Sequence, residues 1–354
     1  MPKLTTRKLL FLVGSLAGAA LIATLVLATA SASPNHVPSG TIWVTERTPG
    51  GLSTVAAIDA ATGESRGITP VGDAPIGITH PNGTNKVYSS DEAADQLSVI
   101  DRETVTVIRT IDTGSPSGPH HLMASTDGHY IYYGEYHHNM VGVVDTRLDE
   151  NVADYMASYV TGAHTHAVWI TPNGKDLYAT NEGPVQAGAG TFSKLDARTG
   201  DIIWEHGVGN RPSEVLVDHD VAYVSVRVDN VIRAYDISGE LPVLIGTAEA
   251  NVSPDTLSLT NDGRTLIVGL RGTPARMAFI DTATFETEYL PLPGTTTGHQ
   301  WLSRNGEITF MALEGTPGKV AVVDNRTRTL ITTYLYPNGR IRPHGVYYEP
   351  PQVR

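Results

Sequence analysis

Eight of the thirteen histidines fall where a repeating fold can gather them, and they carry the first chemistry this sequence offers. His120, His166, His299 and His344 each open a short apolar run, as Pro119-His120, Thr165-His166, Gly298-His299 and Pro343-His344. His121 and His164 are their neighbours, and His137 and His138 follow in a nearby loop. His164 and His166 are two apart, which places both on one face of an extended segment. Neutral imidazole is the commonest metal ligand, and three or four converging rings suit a divalent transition metal: Cu, Zn, Fe or Mn. The alternative is structural: each His bonds a neighbouring loop and has been multiplied by duplication, since Ile76, Ser213 and Asp255 hold the same place in three other repeats.

Acids and arginines lie close by in the repeat. Glu46, Asp91, Glu92, Glu135, Glu182 and Glu314 stand at or just after one strand of each unit, with Glu135 and Glu182 the acid/base candidates. Arg227 and Arg271 occupy the same place in adjacent units and could clamp a carboxylate or phosphate, or belong to a ring of salt bridges between units. Trp169 and Trp301 follow His166 and His299 and read as core or channel wall. The Gly-Ala-rich stretch 183–190 reads as a flap over the same face. His36, His80, His129, His206 and His219 fall in a tail, beside turns or in an outer strand, and are expected to face solvent.

The elements that must position these residues are set by a repeat. An Asp ends an apolar run at Asp59, Asp101, Asp145, Asp196, Asp236, Asp281 and Asp324, at spacings of 42, 44, 51, 40, 45 and 43 residues. Asp at such a place bonds the backbone two residues on and stabilises a turn. Asn-Gly and Asp-Gly pairs at 82–83, 127–128, 173–174, 262–263 and 305–306 supply tight hairpins. Each unit therefore holds four short strands, A to D, and four strands in about 44 residues make a propeller blade. Seven anchors give seven blades over residues 41–349. The chain enters at a second strand (41–46), and 343–348 reads as a first strand, so the C-terminal strand completes the N-terminal blade. With strand A running downward, the B–C and D–A loops, and with them the eight histidines, share the upper face.

The repeats resemble the YVTN family of β-propeller repeats. The matching strands are Trp43-Val44-Thr45-Glu46, Tyr88-Ser89-Ser90-Asp91 and Tyr178-Ala179-Thr180-Asn181, with Val226, Leu270 and Leu313 replacing the final Asn in three blades. The resemblance implies an all-β, seven-bladed propeller. Similar propellers include metal-dependent lyases, lactonases and copper-containing oxidoreductase domains, so an enzyme of this kind is expected to be one of these.

Composition narrows the partners. A net charge of −12 argues against nucleic acid, and zero Cys excludes thiolate chemistry and disulfides. Residues 1–33 carry Lys3, Arg7 and Lys8 before an apolar run and two A-x-A sites, reading as a signal peptide or an uncleaved membrane anchor, with 34–40 a linker and 350–354 a tail. An exported protein is expected. One reading is a metal-binding propeller acting on or binding a small molecule at the upper end of its channel; the other is a non-catalytic envelope scaffold that binds a protein or surface polymer through its top face.

Overall fold

The computed structural model describes residues 37–48, 51–152, 161–184 and 190–351. The segment expected as signal or anchor, His36 and most of the expected flap lie outside them. Among the described residues no helix is long and apolar enough to cross a membrane. These residues form seven four-stranded antiparallel sheets. Blade 1 joins Pro343–Glu349 to Thr41–Glu46, Thr54–Asp59 and Ser65–Pro70. The inner strands of blades 2 to 7 are Pro75–Thr79, Pro119–Ala124, Thr165–Ile170, Pro212–Asp218, Pro254–Leu259 and Thr296–Leu302. Each inner strand touches the next, and the last touches Pro343–Glu349, so the ring closes around a channel.

The local signals do what their chemistry requires. Asp59 Oδ1 accepts from the backbone N–H of Ala61 and of Thr62, both at 2.9 Å, and Asp196 and Asp281 hold their turns alike. The core lies between blades: Ile42 and Ile58 of blade 1 pack against Phe310 and Val322 of blade 7, with Tyr348 from the closing strand. Each such side chain contributes about 1.5–3 kcal/mol by leaving water. At the rim, Val243–Glu249 buries only Ala248.

Closure joins the two ends of the sequence. Thr41 pairs with Glu349, Trp43 with Tyr347 and Glu46 with Pro343. Trp43 Nε1 donates to Glu349 Oε2 at 3.0 Å, and Arg102 of blade 2 reaches Glu349 Oε1 at 2.6 Å.

One irregularity recurs at the top of the inner strands and builds the site. In blade 3, Pro119 pairs with Glu135 and Leu122 with Tyr133, so His120 and His121 together oppose Gly134 alone. Blades 1, 2, 5, 6 and 7 slip in the same way, and blade 4 slips by one residue at His166. A bulge breaks strict alternation, so two consecutive side chains can reach the channel. Gly134 has to be glycine, because a Cβ there would meet the carbonyl oxygens of Thr165 and His166 at 2.7 and 2.8 Å.

Candidate metal centre at the upper channel mouth

The bulges bring five imidazoles together. Ring centroids lie 4.1 Å apart for His120 and His166, 4.7 Å for His121 and His166, 4.2 Å for His121 and His299, and 4.4 Å for His299 and His344. His120, His121 and His166 can each offer one ring nitrogen such that the three lie within 4.8 Å of one another. Burial holds the imidazoles of His120, His166, His299 and His344 well below their ordinary pKa, with neighbouring His and Arg adding to the effect. They are therefore neutral near pH 7, and each carries a lone pair on one ring nitrogen.

Their hydrogen bonds fix orientation. His166 Nδ1 donates to the carbonyl of Ser213 at 2.8 Å, which leaves Nε2 as the lone-pair nitrogen. His121 Nδ1 lies 3.9 Å from Glu214 Oε1, and burial pushes the Glu214 carboxyl above its ordinary range. His120 Nδ1, His121 Nε2 and His344 Nδ1 are buried without a hydrogen-bond partner.

Above the imidazoles runs a second ring, made at the end of strand B by the residue that follows it, Arg47, Glu92, Tyr136, Glu182, Arg227 and Arg271, and in blade 7 by its last residue, Glu314. Arg227 bonds Glu182 at 3.0 Å and Asp255 at 2.6 Å, and Arg271 bonds Asp255 and Glu314, both at 3.3 Å. Arg47 bonds Glu92 at 2.8 Å, while Arg211 and Tyr136 also hold Glu182. Burial opposes the Asp255 charge, yet Arg227 and Arg271 outweigh it and hold this carboxyl well below its ordinary range. Histidines and ion pairs enclose a cavity of about 310 Å³.

Several expected placements change. By register His299 matches His121 and Glu214, the second residue of the bulge, not His120; Gly298 holds the first place, where a Cβ would meet the His344 carbonyl at 2.6 Å. Of the two readings of Arg227 and Arg271, the salt-bridge ring holds, since both bond the chain's own Asp255 and glutamates. His164 does not share the face of His166: its backbone is left-handed, its Nδ1 donates to the Gly183 carbonyl, and its ring stacks on Tyr136. Glu135 turns away from the cluster to pair with His138 at 2.8 Å beside a different cavity, and His137 packs edge-on against Tyr136. Among the histidines expected in solvent, His80 is buried with Nδ1 bonded to the Lys86 carbonyl, and His206 packs half-buried against Phe192 and Tyr235.

Sequence reasoning passed over Glu214, Arg47, Tyr136 and Arg211. The signal for Arg47 and Tyr136 was available, because each directly follows strand B as Arg227 does.

No protein-family profile matches the chain, and neither does any curated protein. Solved structures do resemble it in fold. A candidate 6-phosphogluconolactonase of Bacteroides fragilis superposes with a TM-score of 0.67 at 18% identity, covering 89% of this chain and 99% of that one. The periplasmic gluconolactonase of Pseudomonas aeruginosa gives 0.66 at 18% identity over 88% and 99%. Hydrazine synthase of Kuenenia stuttgartiensis gives 0.64 at 17% identity over 80% and 90%. What the chain shares with these proteins is the seven-bladed propeller, here carrying a buried histidine cluster at one end of its channel.

Proposed function

We propose that this is an exported propeller of YVTN-repeat type whose upper channel mouth binds a divalent transition metal through His120, His121 and His166 and acts on a small, oxygen-rich molecule such as a sugar lactone. The observation that carries the reading is the pair of buried, unpartnered nitrogens, His120 Nδ1 and His121 Nε2, within that triad. An unpaired buried polar atom costs about 1–3 kcal/mol, which a bound ion removes. The Ser213 carbonyl behind His166 and the Glu214 carboxyl beside His121 match the outer partners that orient ligating imidazoles. Arg227 donates to His166 Nε2 at 3.1 Å, so an ion at that nitrogen displaces this contact.

A divalent ion there would polarise a carbonyl and acidify a bound water. Glu92, one quarter exposed and 4.0 Å from His120 Nε2, is the carboxylate placed to accept a proton. Glu182, held by Arg211, Arg227 and Tyr136, positions the arginines instead. The cavity is lined by polar and charged side chains, which suits an oxygen-rich guest, and the gluconolactonase among the similar folds supports a lactone as its class.

The untagged protein, assayed for Cu, Zn, Fe and Mn, is expected to bind one of them at micromolar affinity or tighter, and His121→Ala to lose it. A protein that binds none overturns the reading. The rival, an envelope scaffold that binds a protein or surface polymer, draws on one observation: Arg227 and Arg271 are already engaged by the chain's own carboxylates. It predicts that His166→Ala and His299→Ala fold normally and lose no ion.

A further inference from the structure

Five imidazoles line the upper cavity and the metal triad uses three of them, which leaves His299 and His344. The bulges decide how many rings each blade sends inward. Blade 3 sends two because both of its bulge positions carry His, whereas blades 7 and 1 send one each. The other position in those blades is Gly298 or Gly345, where a Cβ would run into the carbonyl oxygen of His344 or of Ile76. His299 lies against His121, and His344 lies one ring further from the triad, its centroid 4.4 Å from that of His299.

The two nitrogens of His344 have different surroundings. Nδ1 is closed off from the cavity and lies 3.6 Å from Glu314 Oε1. That gap is longer than a hydrogen bond, yet a carboxylate so near repels a lone pair and attracts an N–H, so it places the proton on Nδ1. Arg271 at 3.3 Å and Arg342 at 3.5 Å hold this carboxylate in place. Burial, with Arg47 and Arg271 adding to it, keeps the ring well below its ordinary pKa, so it carries one proton only. Nε2, at the other end of the ring, is neither closed off nor bonded by any described residue, and holds the lone pair toward the cavity.

We propose that His344 Nε2 is a specificity-determining acceptor that takes a hydrogen bond from a substrate hydroxyl, so that the upper mouth selects lactones with hydroxylated rings over bare ones. This rests on the reading of that mouth as a lactone site with its ion on His120, His121 and His166. A hydroxyl satisfies the lone pair; a methylene leaves it unpaired, and an ether or carboxylate oxygen meets it with lone pairs of its own. His299 also has neither nitrogen closed off nor bonded among the described residues, and offers one donor and one acceptor to a second hydroxyl. The cavity of about 310 Å³ lies at the small end of the range for ligand sites, which suits a single sugar ring. Glu314 touches His344 and not the guest, and is a positioning residue.

The test uses lactams, in which an amide replaces the ester and nothing is hydrolysed. The full-length protein is titrated calorimetrically with gluconolactam, which keeps the ring hydroxyls, and with δ-valerolactam, which has none, and the metal content of each protein is measured alongside. The parent is expected to prefer gluconolactam by on the order of 100-fold. His344→Phe, which keeps a ring without an acceptor, is expected to cut that preference about tenfold, and His344→Gln, whose amide oxygen accepts, to restore part of it. Glu314→Gln no longer fixes the proton on Nδ1 and is expected to cut the preference about threefold. A parent that binds both lactams alike, or neither, overturns the proposal, as does a preference that His344→Phe leaves intact. Loss of the ion in His344→Phe also overturns it, because the ring is then a ligand. Should His344→Phe lose the circular dichroism of the parent, Glu314→Gln decides, and an unchanged preference there overturns the proposal. The underlying reading fails separately, through a parent that holds no ion; a hydroxyl preference that persists in such a protein and is lost in His344→Phe sustains the contact itself.

Discussion

The two ends of one channel are lined by the same seven inner strands, yet they present opposite chemistries. At the upper end each strand slips by a bulge, sends one or two residues inward, and meets a charged or aromatic residue from the loop after strand B. At the lower end His166 gives way to Trp169 and His299 to Trp301, and the wall turns apolar with a carboxylate rim. The difference teaches one way in which the propeller keeps a buried charge: loops bring counter-charges in from adjoining blades. Asp255 is fully buried beside two arginines and stays ionised. Asp91 is equally buried but has only uncharged donors, from Gly72, Ser89, Gln96 and Ser98, and burial pushes it up to about 6.

The largest expected effect tests this balance of charges. Arg227→Ala leaves Asp255 and Glu182 short of a partner and is expected to cost about 3–5 kcal/mol in urea denaturation. Pairing it with Asp255→Asn is expected to recover part of the loss, and a cost below about 1 kcal/mol for the single variant would show the ring to be dispensable. Next in size is the effect of pH on metal-free protein. Buried His120, His166, His299 and His344 have depressed values, so their contribution is present above the unfolded 6.5 and is lost as pH falls below it. Each withdraws about 1.4 kcal/mol per pH unit once the unfolded imidazole is protonated. Asp91, raised to about 6, works the other way: its contribution is full below 3.8 and is lost as pH rises through about 6. Denaturation midpoints should therefore fall from pH 7 to pH 5, and fall further in Asp91→Asn; a rise in either protein would reverse the assignment.

Smaller effects separate the two mouths. Glu214→Gln is expected to weaken metal binding by about 10–100-fold through loss of the group that orients His121, whereas Trp301→Ala should leave it unchanged. Glu135→Gln should alter metal affinity by less than about twofold, because its carboxyl belongs to His138 and to another cavity. Isothermal titration with the bound metal measures all three.

The count of blades was legible because its signals are local. An Asp that caps its own turn and an Asn-Gly that sets a hairpin act over two to five residues, and seven copies remove the ambiguity of any one. The histidines could be placed at the top of strand A for the same reason. What could not be read was which histidine faces which. The bulge makes His121 an equal of His120 and moves His299 one step down the strand, and it arises from pairing across strands, here against Gly134 and Ala312. Glu214 hid in an unremarkable Pro-Ser-Glu, since its meaning depends on His121, about two blades' worth of sequence away. Arg227 and Arg271 stayed between a ligand clamp and a salt-bridge ring, because Asp255 was seen as a substitute for His and not as their counter-ion. His80 looked exposed beside a turn, but the carbonyl of Lys86 on the paired strand draws it in.

The bond from Trp43 to Glu349 spans 306 positions. During synthesis, Thr41–Glu46 emerges before the strands of the other six blades and waits for its neighbour until all of them have been made. Through that interval the first sheet presents bare backbone amides and carbonyls on its inner edge, a template for mispairing with other nascent chains. A product released before Pro343 keeps that edge for good, which makes termination just short of the closing strand as damaging to the ring as termination within its middle blades.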